Sequence, residues 1–177
     1  MPRVKGLLQT GSPEVDGFYG VTDLPVILND LKSKYSQEVA NRRFITTPKH
    51  YAYLKISEGC NWGCSYCAIP LIRGKHVSKS IESLVDEASQ LALEGVKELL
   101  LIAQDSTYYG VDIYGKRMLS KLIIELSKID GIEWIRIHYA YPSNFPSDLI
   151  NVINTNPKVC KYIDIPLQHI SDNMLKV

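Results

Sequence analysis

The stretch Lys55-Ile-Ser-Glu-Gly-Cys60-Asn-Trp-Gly-Cys64-Ser-Tyr-Cys67-Ala-Ile-Pro70 carries three of the four cysteines of the chain within eight residues. The spacing C-x3-C-x2-C places three thiols on one tight loop, where they can hold a single metal centre. Tetrahedral sulfur sites normally use four ligands, so this loop is one ligand short. A cubane iron–sulfur cluster held by Cys60, Cys64 and Cys67 leaves one iron open to a ligand from outside the protein. We interpret the rest of the chain as a scaffold for that open iron.

The composition is that of a globular chain with balanced charge. At 177 residues, the expectation is one domain, or one domain with pieces of others. Lys plus Arg is 20 and Asp plus Glu is 19, which argues against a strongly basic nucleic-acid clamp. No apolar run approaches the roughly 18 residues of a membrane helix, and the N-terminus lacks the apolar core of a secretory signal. We therefore expect a cytoplasmic protein with no membrane partner, in which clustered cysteines favour metal or redox chemistry over disulfides.

Apolar periodicity predicts strands and helices in alternation. Strands are predicted over residues 51–57, 97–104, 132–141 and 161–167, with helices over 80–95, 118–129, 146–154 and beyond Ser171. Ser80 is predicted to cap the first of these helices and Gly95 to end it. The apolar run at 99–103 is typical of a strand buried on both faces of a parallel sheet. Alternation predicts an α/β fold, and because no G-x-G-x-x-G follows a strand, a partial (βα) barrel is favoured.

The residues before the first strand have a different character. Apolar positions in 24–34 have the spacing of an amphipathic helix, but this piece is too short to hold a core alone. The residues that follow it are polar, contain a proline and show no clear period, which indicates a linker. We interpret residues 1–35 as the tail of a preceding domain, 36–50 as a linker and 51–177 as the main domain.

Polar side chains follow the ends of the predicted strands. In parallel barrels the functional groups lie at the carboxyl ends of the strands and in the loops after them. The cysteine loop comes directly after the first strand, so we expect polar residues from the other strand ends to converge on it. These residues are Gln104 and Asp105 after the second strand, His138, Tyr139 and Tyr141 at the third, and Gln168 and His169 after the fourth.

The cysteine loop also has a structural interpretation. A zinc site that stabilises the fold would use the three thiols with His76 or Cys160 as the fourth ligand. Such sites usually pair one C-x2-C element with another, and the sequence offers no second one. Cys160 itself is predicted to be a small core residue, because lone cysteines are usually buried and inert.

The other candidates have structural interpretations as well. Tyr66 either stacks on an adenine or packs under the loop. Gln104 and Asp105 either bind the amino or carboxylate group of a cofactor or cap a turn after the strand. His138 is at least as well explained by a structural pair with an acidic partner such as Asp164 as by catalysis.

The cysteine loop resembles the signature of radical S-adenosylmethionine (SAM) enzymes, C-x3-C-x-aromatic-C, with Tyr66 as the aromatic residue. Within that superfamily the chain resembles the methylthiotransferases, and the matching segments are Tyr51-Ala-Tyr-Leu-Lys-Ile-Ser-Glu-Gly-Cys60, Cys67-Ala-Ile-Pro70 with Arg73-Gly74, and Leu167-Gln-His-Ile-Ser-Asp172. Two further segments are more similar to the branch that modifies a ribosomal protein than to the branch that modifies transfer RNA. They are Gln104-Asp105-Ser-Thr and Tyr109-Gly-Val-Asp112.

This resemblance implies a fold and a set of cofactors. The implied fold is a partial parallel (βα) barrel of the radical SAM type, with about four of its six units present. The implied cofactors are a 4Fe–4S cluster on Cys60, Cys64 and Cys67 and S-adenosyl-L-methionine at the open iron. The residues expected to contact S-adenosylmethionine are Tyr66, Gln104, Asp105 and Gln168.

The implied activity is the addition of a methylthio group to the β-carbon of an aspartate in a small-subunit ribosomal protein. The implied route is a 5′-deoxyadenosyl radical, with an electron donor such as flavodoxin or ferredoxin. Two alternatives stay open, namely methylthio transfer to a tRNA adenosine and a non-catalytic, zinc-stabilised interaction module. The resemblance also implies an N-terminal domain with a second 4Fe–4S cluster, of which residues 1–35 are the end, and a C-terminal β-barrel. Both are expected to lie largely outside this sequence.

Overall fold

The computed structural model describes residues 14–20, 23–32 and 44–175. The chain divides into two compact units, residues 1–42 and 43–177. In the first unit, helix α1 spans Leu24–Asp30 and has a proline in its first turn, where the missing N–H costs no hydrogen bond. The predicted helix over 24–34 is thus confirmed in its first seven residues, and residues 33 and 34 lie outside the described part.

The second unit is built on a parallel sheet. Its strands are β1 (Tyr51–Lys55), β2 (Ser57–Glu58), β3 (Val77–Ser78), β4 (Glu98–Ile102) and β5 (Trp134–Ile137). Strands β1, β4 and β5 form one sheet in that order, with both pairings parallel, whereas β2 and β3 form a separate antiparallel ribbon. The predicted α/β fold with a parallel sheet is confirmed. The first predicted strand, over residues 51–57, is divided between β1 and β2.

Helices lie between and after the strands. They are α2 (Ile69–Arg73), α3 (Ile81–Leu93), the 3-10 turn Ser106–Tyr108, α4 (Val111–Tyr114), α5 (Leu119–Ser127), α6 (Ser147–Thr155) and α7 (Asp172–Leu175). Helix α3 packs on β1 and on α5, and α5 packs on α6. Within the described residues, no helix combines the length and the apolar character that crossing a membrane requires.

Helix α3 begins and ends where the sequence predicts. The Ser80 hydroxyl accepts a hydrogen bond from the Ser83 N–H at 3.2 Å, which satisfies one of the free amides of the first turn. Gly95 takes φ +98°, and its N–H donates to the Ala92 carbonyl just beyond the last turn. An L side chain is strained in that conformation, so glycine ends the helix without cost.

The core lies between the sheet and its helices. Alternate strand side chains point to this side and are fully buried, as Leu54, Leu101 and Ile135 are. On the opposite face Leu100 is only partly buried, and Arg136 donates through Nε to a carboxylate oxygen of Glu98 at 2.7 Å. The prediction that the strand at 97–104 is buried on both faces was therefore wrong. The ion pair places polar groups on the second face, which remains partly open.

Residues 161–167 do not form the predicted fourth strand. The chain meets the edge of β5 at a single parallel bridge between Ile135 and Val159, and the Ala140 N–H donates to the Asp164 carbonyl at 2.8 Å. Pro166 has no N–H to contribute to a ladder. The fourth unit is therefore present as a segment beside β5, followed by the short helix α7.

Candidate metal centre and cofactor site

The cysteine loop, residues 59–76, leaves the sheet through β2 and returns through β3, whose pairing closes its base. The Cys60 N–H donates to the Gly74 carbonyl at 3.2 Å, which adds one more rung. Gly59 takes φ +76°, and a Cβ there would lie 2.2 Å from the Lys75 carbonyl oxygen. Only glycine fits this close backbone approach, so the base of the loop has a fixed shape.

The three thiols of the loop are free and half-buried. The Cys60 sulfur accepts the Trp62 N–H at 3.4 Å, and the Cys67 N–H donates to the Cys64 carbonyl at 3.1 Å, which forms a turn between these two cysteines. Burial raises the pKa of the Cys60 thiol, and the negative charges of Asp105, Cys64 and Cys67 raise it further.

The donor set suits an iron–sulfur cluster, because thiolates are the ligands that such clusters take. Within residues 14–20, 23–32 and 44–175, however, no three Cys, His, Asp or Glu side chains are placed to hold a metal ion as they stand. The three thiols nevertheless lie on one short loop directly after the first strand of the sheet, so the residues fit the group in type and in location.

Trp62, between the first two cysteines, ties the loop to the end of β4. Its indole N–H donates to Asp105 Oδ2 at 2.7 Å. Asp105 is 1% exposed, and its other oxygen accepts the N–H and the hydroxyl of Thr107 at 2.9 and 2.7 Å. Both carboxylate oxygens are thus used within the chain. This is the turn-capping role that the sequence left open as the alternative for Asp105.

Tyr141 ties the same loop to the chain that follows β5. Its ring stacks on Trp62 with centroids 4.7 Å apart and planes 29° apart, and its hydroxyl lies 3.8 Å from the Cys64 sulfur. The hydrogen bond with Cys64 and partial burial raise the pKa of Tyr141. The convergence of later strand ends on the cysteine loop, expected from the sequence, is present at both β4 and β5.

Gln104 lies beside Glu58 at the foot of the loop. The Gln104 amide donates to a Glu58 oxygen at 3.2 Å, and Glu58 also pairs with Lys55 and, at 3.5 Å, with Arg73. Among the described residues, the Gln104 side-chain oxygen is buried and has no hydrogen-bond partner. A buried acceptor without a donor is costly, so this oxygen is a position where a ligand N–H or O–H is favoured.

Tyr66 and Gln168, which are far apart in sequence, are in contact. The Tyr66 hydroxyl donates to the Gln168 side-chain oxygen, and Tyr66 is 73% exposed. The alternative that Tyr66 packs under the loop is therefore not what the structure has. Gln168 takes φ +66°, a conformation that a non-glycine residue rarely adopts outside functional or tightly constrained positions.

The polar groups at β5 form structural pairs. His138 Nδ1 lies 3.5 Å from Asp164, as the structural interpretation expected, and the Tyr139 N–H donates to the same carboxylate at 3.3 Å. His169 is exposed and accepts the Ser171 N–H at 2.8 Å. The segments that follow the strands therefore contribute unequally. Asp105, Tyr141 and Gln168 reach residues of the cysteine loop, whereas His138 pairs with Asp164 and His169 with Ser171.

The zinc alternative gains no support from its two proposed fourth ligands. His76 is 4% exposed and directs Nε2 to the Ser78 hydroxyl at 3.1 Å, and burial lowers its pKa. Cys160 donates its N–H to Ile135 at the edge of β5. The expectation that Cys160 is a core residue was wrong. It is half-buried, because the segment beside β5 is an open edge.

Two members of the site were missed in the sequence. The pairing of Glu58 could have been predicted in part, because this acid comes directly before the loop, three residues after Lys55, and Arg73 stands near the end of the loop. Trp62 had none, because its contact with Asp105 joins residues 43 positions apart and no local pattern encodes it.

The sequence profile of the Radical SAM superfamily matches residues 54–177. Proteins named ribosomal protein uS12 methylthiotransferase RimO are similar over nearly the whole chain. That of Christiangramia forsetii is 58% identical over 174 residues, which are 98% of this chain and 39% of the relative. Those of Flavobacterium psychrophilum and Bacteroides thetaiotaomicron are 59% and 58% identical, over 98% and 93% of this chain and 40% and 38% of the relatives. The chain thus spans about two fifths of their length.

Solved structures support the fold. The radical S-adenosylmethionine methyltransferase TsrM from Kitasatospora setae, solved with its tryptophan substrate and a SAM analogue, superposes with a TM-score of 0.58. It is 18% identical and matches 76% of this chain and 27% of its own. At this identity the likeness concerns the fold alone, and it confirms the predicted barrel type.

Proposed function

The chain belongs to the radical SAM superfamily, and on that basis we propose that it carries the SAM-cleaving domain of a methylthiotransferase acting on ribosomal protein uS12. The observation that carries the proposal is the placement of the cysteine loop. Three free thiols spaced C-x3-C-x2-C follow the first strand of a parallel sheet and contact the chain beyond the next two strands. Identity of 57–59% to several proteins named for uS12 favours the ribosomal substrate over transfer RNA.

In this proposal Cys60, Cys64 and Cys67 hold a 4Fe–4S cluster, and the fourth iron is left for S-adenosylmethionine. When bound, the cluster supplies the electron that cleaves S-adenosylmethionine reductively. The protein's part would be to hold the cluster through the three thiols, to orient the cofactor and to exclude water from the site. A half-buried loop held at both strand ends is suited to that role.

The proposed cofactor contacts follow from the free polar atoms. The buried Gln104 side-chain oxygen accepts a hydrogen bond from the methionine amino group, and Glu58 holds the Gln104 amide in place. The exposed ring of Tyr66 presents its face to the adenine, and Gln168 fixes the ring through its hydroxyl. Asp105 contributes by holding Trp62 and, with it, the loop.

The remaining assignments concern the whole protein. We propose that residues 1–35 are the tail of an N-terminal methylthiotransferase domain, 36–50 a linker and 51–177 the radical SAM core. That N-terminal domain, of which residues 1–35 form the tail, is proposed to hold a second 4Fe–4S cluster. The proposed partners are uS12 and a low-potential electron donor such as flavodoxin or ferredoxin, and the proposed compartment is the cytoplasm.

The substrate is tested by deleting the gene and measuring two products in the same cells. Mass spectrometry of uS12 is expected to show loss of the mass of one methylthio group at a single aspartate. Nucleosides from transfer RNA are expected to be unchanged. The reverse pattern, with intact uS12 modification and a missing methylthio-adenosine, would replace the ribosomal substrate by transfer RNA.

A further inference from the structure

One loop thiol has a hydroxyl partner supplied by another part of the fold. The Tyr141 hydroxyl lies 3.8 Å from the Cys64 sulfur, within the range of a hydrogen bond to sulfur. A thiolate bound to iron carries no proton, so in the loaded protein only the tyrosine can donate. The direction of this hydrogen bond is therefore fixed by the chemistry of the ligand.

The Tyr141 ring is held in place by Trp62. The two rings stack at 4.7 Å with an angle of 29°, and a third aromatic ring, Tyr108, meets the indole edge-on at 6.3 Å. Stacking restricts the Tyr141 ring, so its hydroxyl oxygen is held beside Cys64.

Trp62 is itself anchored to a rigid point. Its N–H donates at 2.7 Å to Asp105, which is buried and fixed by two hydrogen bonds from Thr107. A charge-assisted hydrogen bond to a buried carboxylate is stronger than one between neutral groups. A series of contacts from Asp105 to Trp62, Tyr141 and Cys64 thus joins the end of β4 to one of the proposed cluster ligands.

We propose that Tyr141 donates a hydrogen bond to the Cys64 thiolate of the cluster and raises its reduction potential, and that Trp62 and Asp105 are positioning residues for this contact. Hydrogen bonds to the sulfurs of an iron–sulfur cluster are one of the levers that set its potential. The reduced cluster carries one more negative charge, so a donor stabilises it more than the oxidised form. This inference rests on the proposed function, because it requires the cluster.

The test is a redox titration of the reconstituted protein, followed by electron paramagnetic resonance. Tyr141→Phe keeps the stacked ring and removes only the hydroxyl, so iron content is expected to stay at the wild-type level. The reduction equilibrium is expected to shift severalfold toward the oxidised cluster. Tyr162→Phe is the matched control, because it removes a hydroxyl from a ring that packs on Arg136 and His138, and its potential is expected to equal that of the wild type.

The positioning role is tested by Trp62→Phe, which keeps an aromatic ring and removes the N–H donor. We expect a smaller shift in the same direction, and we expect Tyr141→Phe to add little in the Trp62→Phe background. Additive shifts in the double variant would show that Trp62 does not act through Tyr141. Hydrogen exchange in residues 59–76 of the Trp62→Phe variant is expected to increase, as a readout that does not depend on the cluster.

The outcomes separate this inference from the proposed function. If the wild type takes up no iron, the proposed function fails and the inference falls with it. If iron content is normal and Tyr141→Phe has the same potential as the wild type and Tyr162→Phe, only the inference is overturned. If Tyr141→Phe does not fold, the potential of Trp62→Phe decides, and a value equal to that of the wild type overturns the inference.

Discussion

The helix-covered face of the sheet and the edge that carries the cysteine loop are held together in different ways. The helix-covered face consists of apolar side chains such as Leu54, Leu101 and Ile135, all fully buried in one core cluster that includes residues of α3 and α5. The loop edge consists of half-buried thiols, a stacked aromatic pair and a few hydrogen bonds between distant residues. The helix-covered face is therefore stabilised by many small apolar contacts, whereas the loop edge is stabilised by a few specific ones.

The difference indicates that the helix-covered face provides stability and that the loop edge provides the binding site. A close-packed apolar face loses stability whenever one side chain is shortened, whatever the loop does. A loop held by a few specific contacts can be altered without unfolding the sheet, because residues 59–76 lie outside the buried apolar core. We therefore expect substitutions to separate into those that change the free energy of unfolding and those that change metal binding.

The largest expected effect is on metal binding. Replacing Cys60, Cys64 or Cys67 by Ala removes one of three ligands, so iron content after anaerobic reconstitution is expected to fall close to zero. The unfolding midpoint of the metal-free protein is expected to change little, because these thiols are only half-buried. Cys160→Ala is the control and is expected to retain full iron content. Wild-type iron content in any of the three loop variants would contradict the assignment.

The next effect is on stability alone. Leu101→Ala creates a cavity in the helix-covered face and is expected to lower the free energy of unfolding by about 3 kcal/mol, measured by urea denaturation. The folded fraction is expected to bind as much iron as the wild type. Leu93→Ala, at an 81% exposed position of α3, is the matched control and is expected to cost under about 0.5 kcal/mol. Equal losses in the two variants would show that the face is not close-packed.

A smaller effect is expected at the base of the loop. The hydroxyl and the N–H of Ser78 donate to Asp112 at 2.6 and 2.7 Å. Partial burial favours the protonated acid, but these hydrogen bonds outweigh it and lower the pKa of Asp112. Asp112→Asn is therefore expected to cost about 1 kcal/mol at neutral pH.

The pH dependence of that variant has a defined sign. Because the folded pKa of Asp112 is below the unfolded one, its stabilising contribution is present above the unfolded pKa and is lost as pH falls through the folded pKa. The stability difference between wild type and Asp112→Asn is thus expected to shrink in acid. Asp86→Asn, on the exposed side of α3, is the control and is expected to leave the unfolding midpoint at neutral pH nearly unchanged. If the difference in the free energy of unfolding between wild type and Asp112→Asn does not depend on pH, the negative charge of Asp112 is not what stabilises the fold.

The smallest effect is expected outside both regions. Hydrogen bonds from Lys121 and Lys128 lower the pKa of Glu125 to about 2 on the outer surface of α5. Lys128→Ala is expected to raise that pKa, measured by carbon-detected NMR titration, and to leave the unfolding midpoint nearly unchanged. A marked fall in the unfolding midpoint would show that the ion pairs of Glu125 contribute substantially to the stability of the fold, against this prediction.

The sequence predicted the helix-covered face better than the loop edge, for a physical reason. Burial repeats with the period of a helix or strand, so Ser80, Gly95 and the apolar positions of α3 are visible in a single stretch. The contacts of Trp62 with Asp105 and of Tyr66 with Gln168 join residues from different strand ends, and no local pattern encodes them. The sequence supplied the candidates at the strand ends, and only the fold selects which of them meet.

The strand predicted over 161–167 failed for a related reason. Apolar and polar residues alternate over 163–167, but a strand needs a continuous neighbour. The edge of β5 and the residues after it offer one bridge at Val159 and one backbone hydrogen bond at Asp164. The opposite face of β4 was misjudged because Glu98 and Arg136 come from different strands and their pairing is visible only in the sheet.

The central claim is that the three-cysteine loop holds a 4Fe–4S cluster with one iron open to S-adenosylmethionine. Its most direct test is electron paramagnetic resonance of the anaerobically reconstituted, reduced protein, recorded with and without S-adenosylmethionine, together with metal analysis. The account predicts a reduced 4Fe–4S signal that changes when S-adenosylmethionine is added and disappears in the Cys64→Ala variant. A protein that contains zinc and no iron, or a cluster signal indifferent to S-adenosylmethionine, would contradict it.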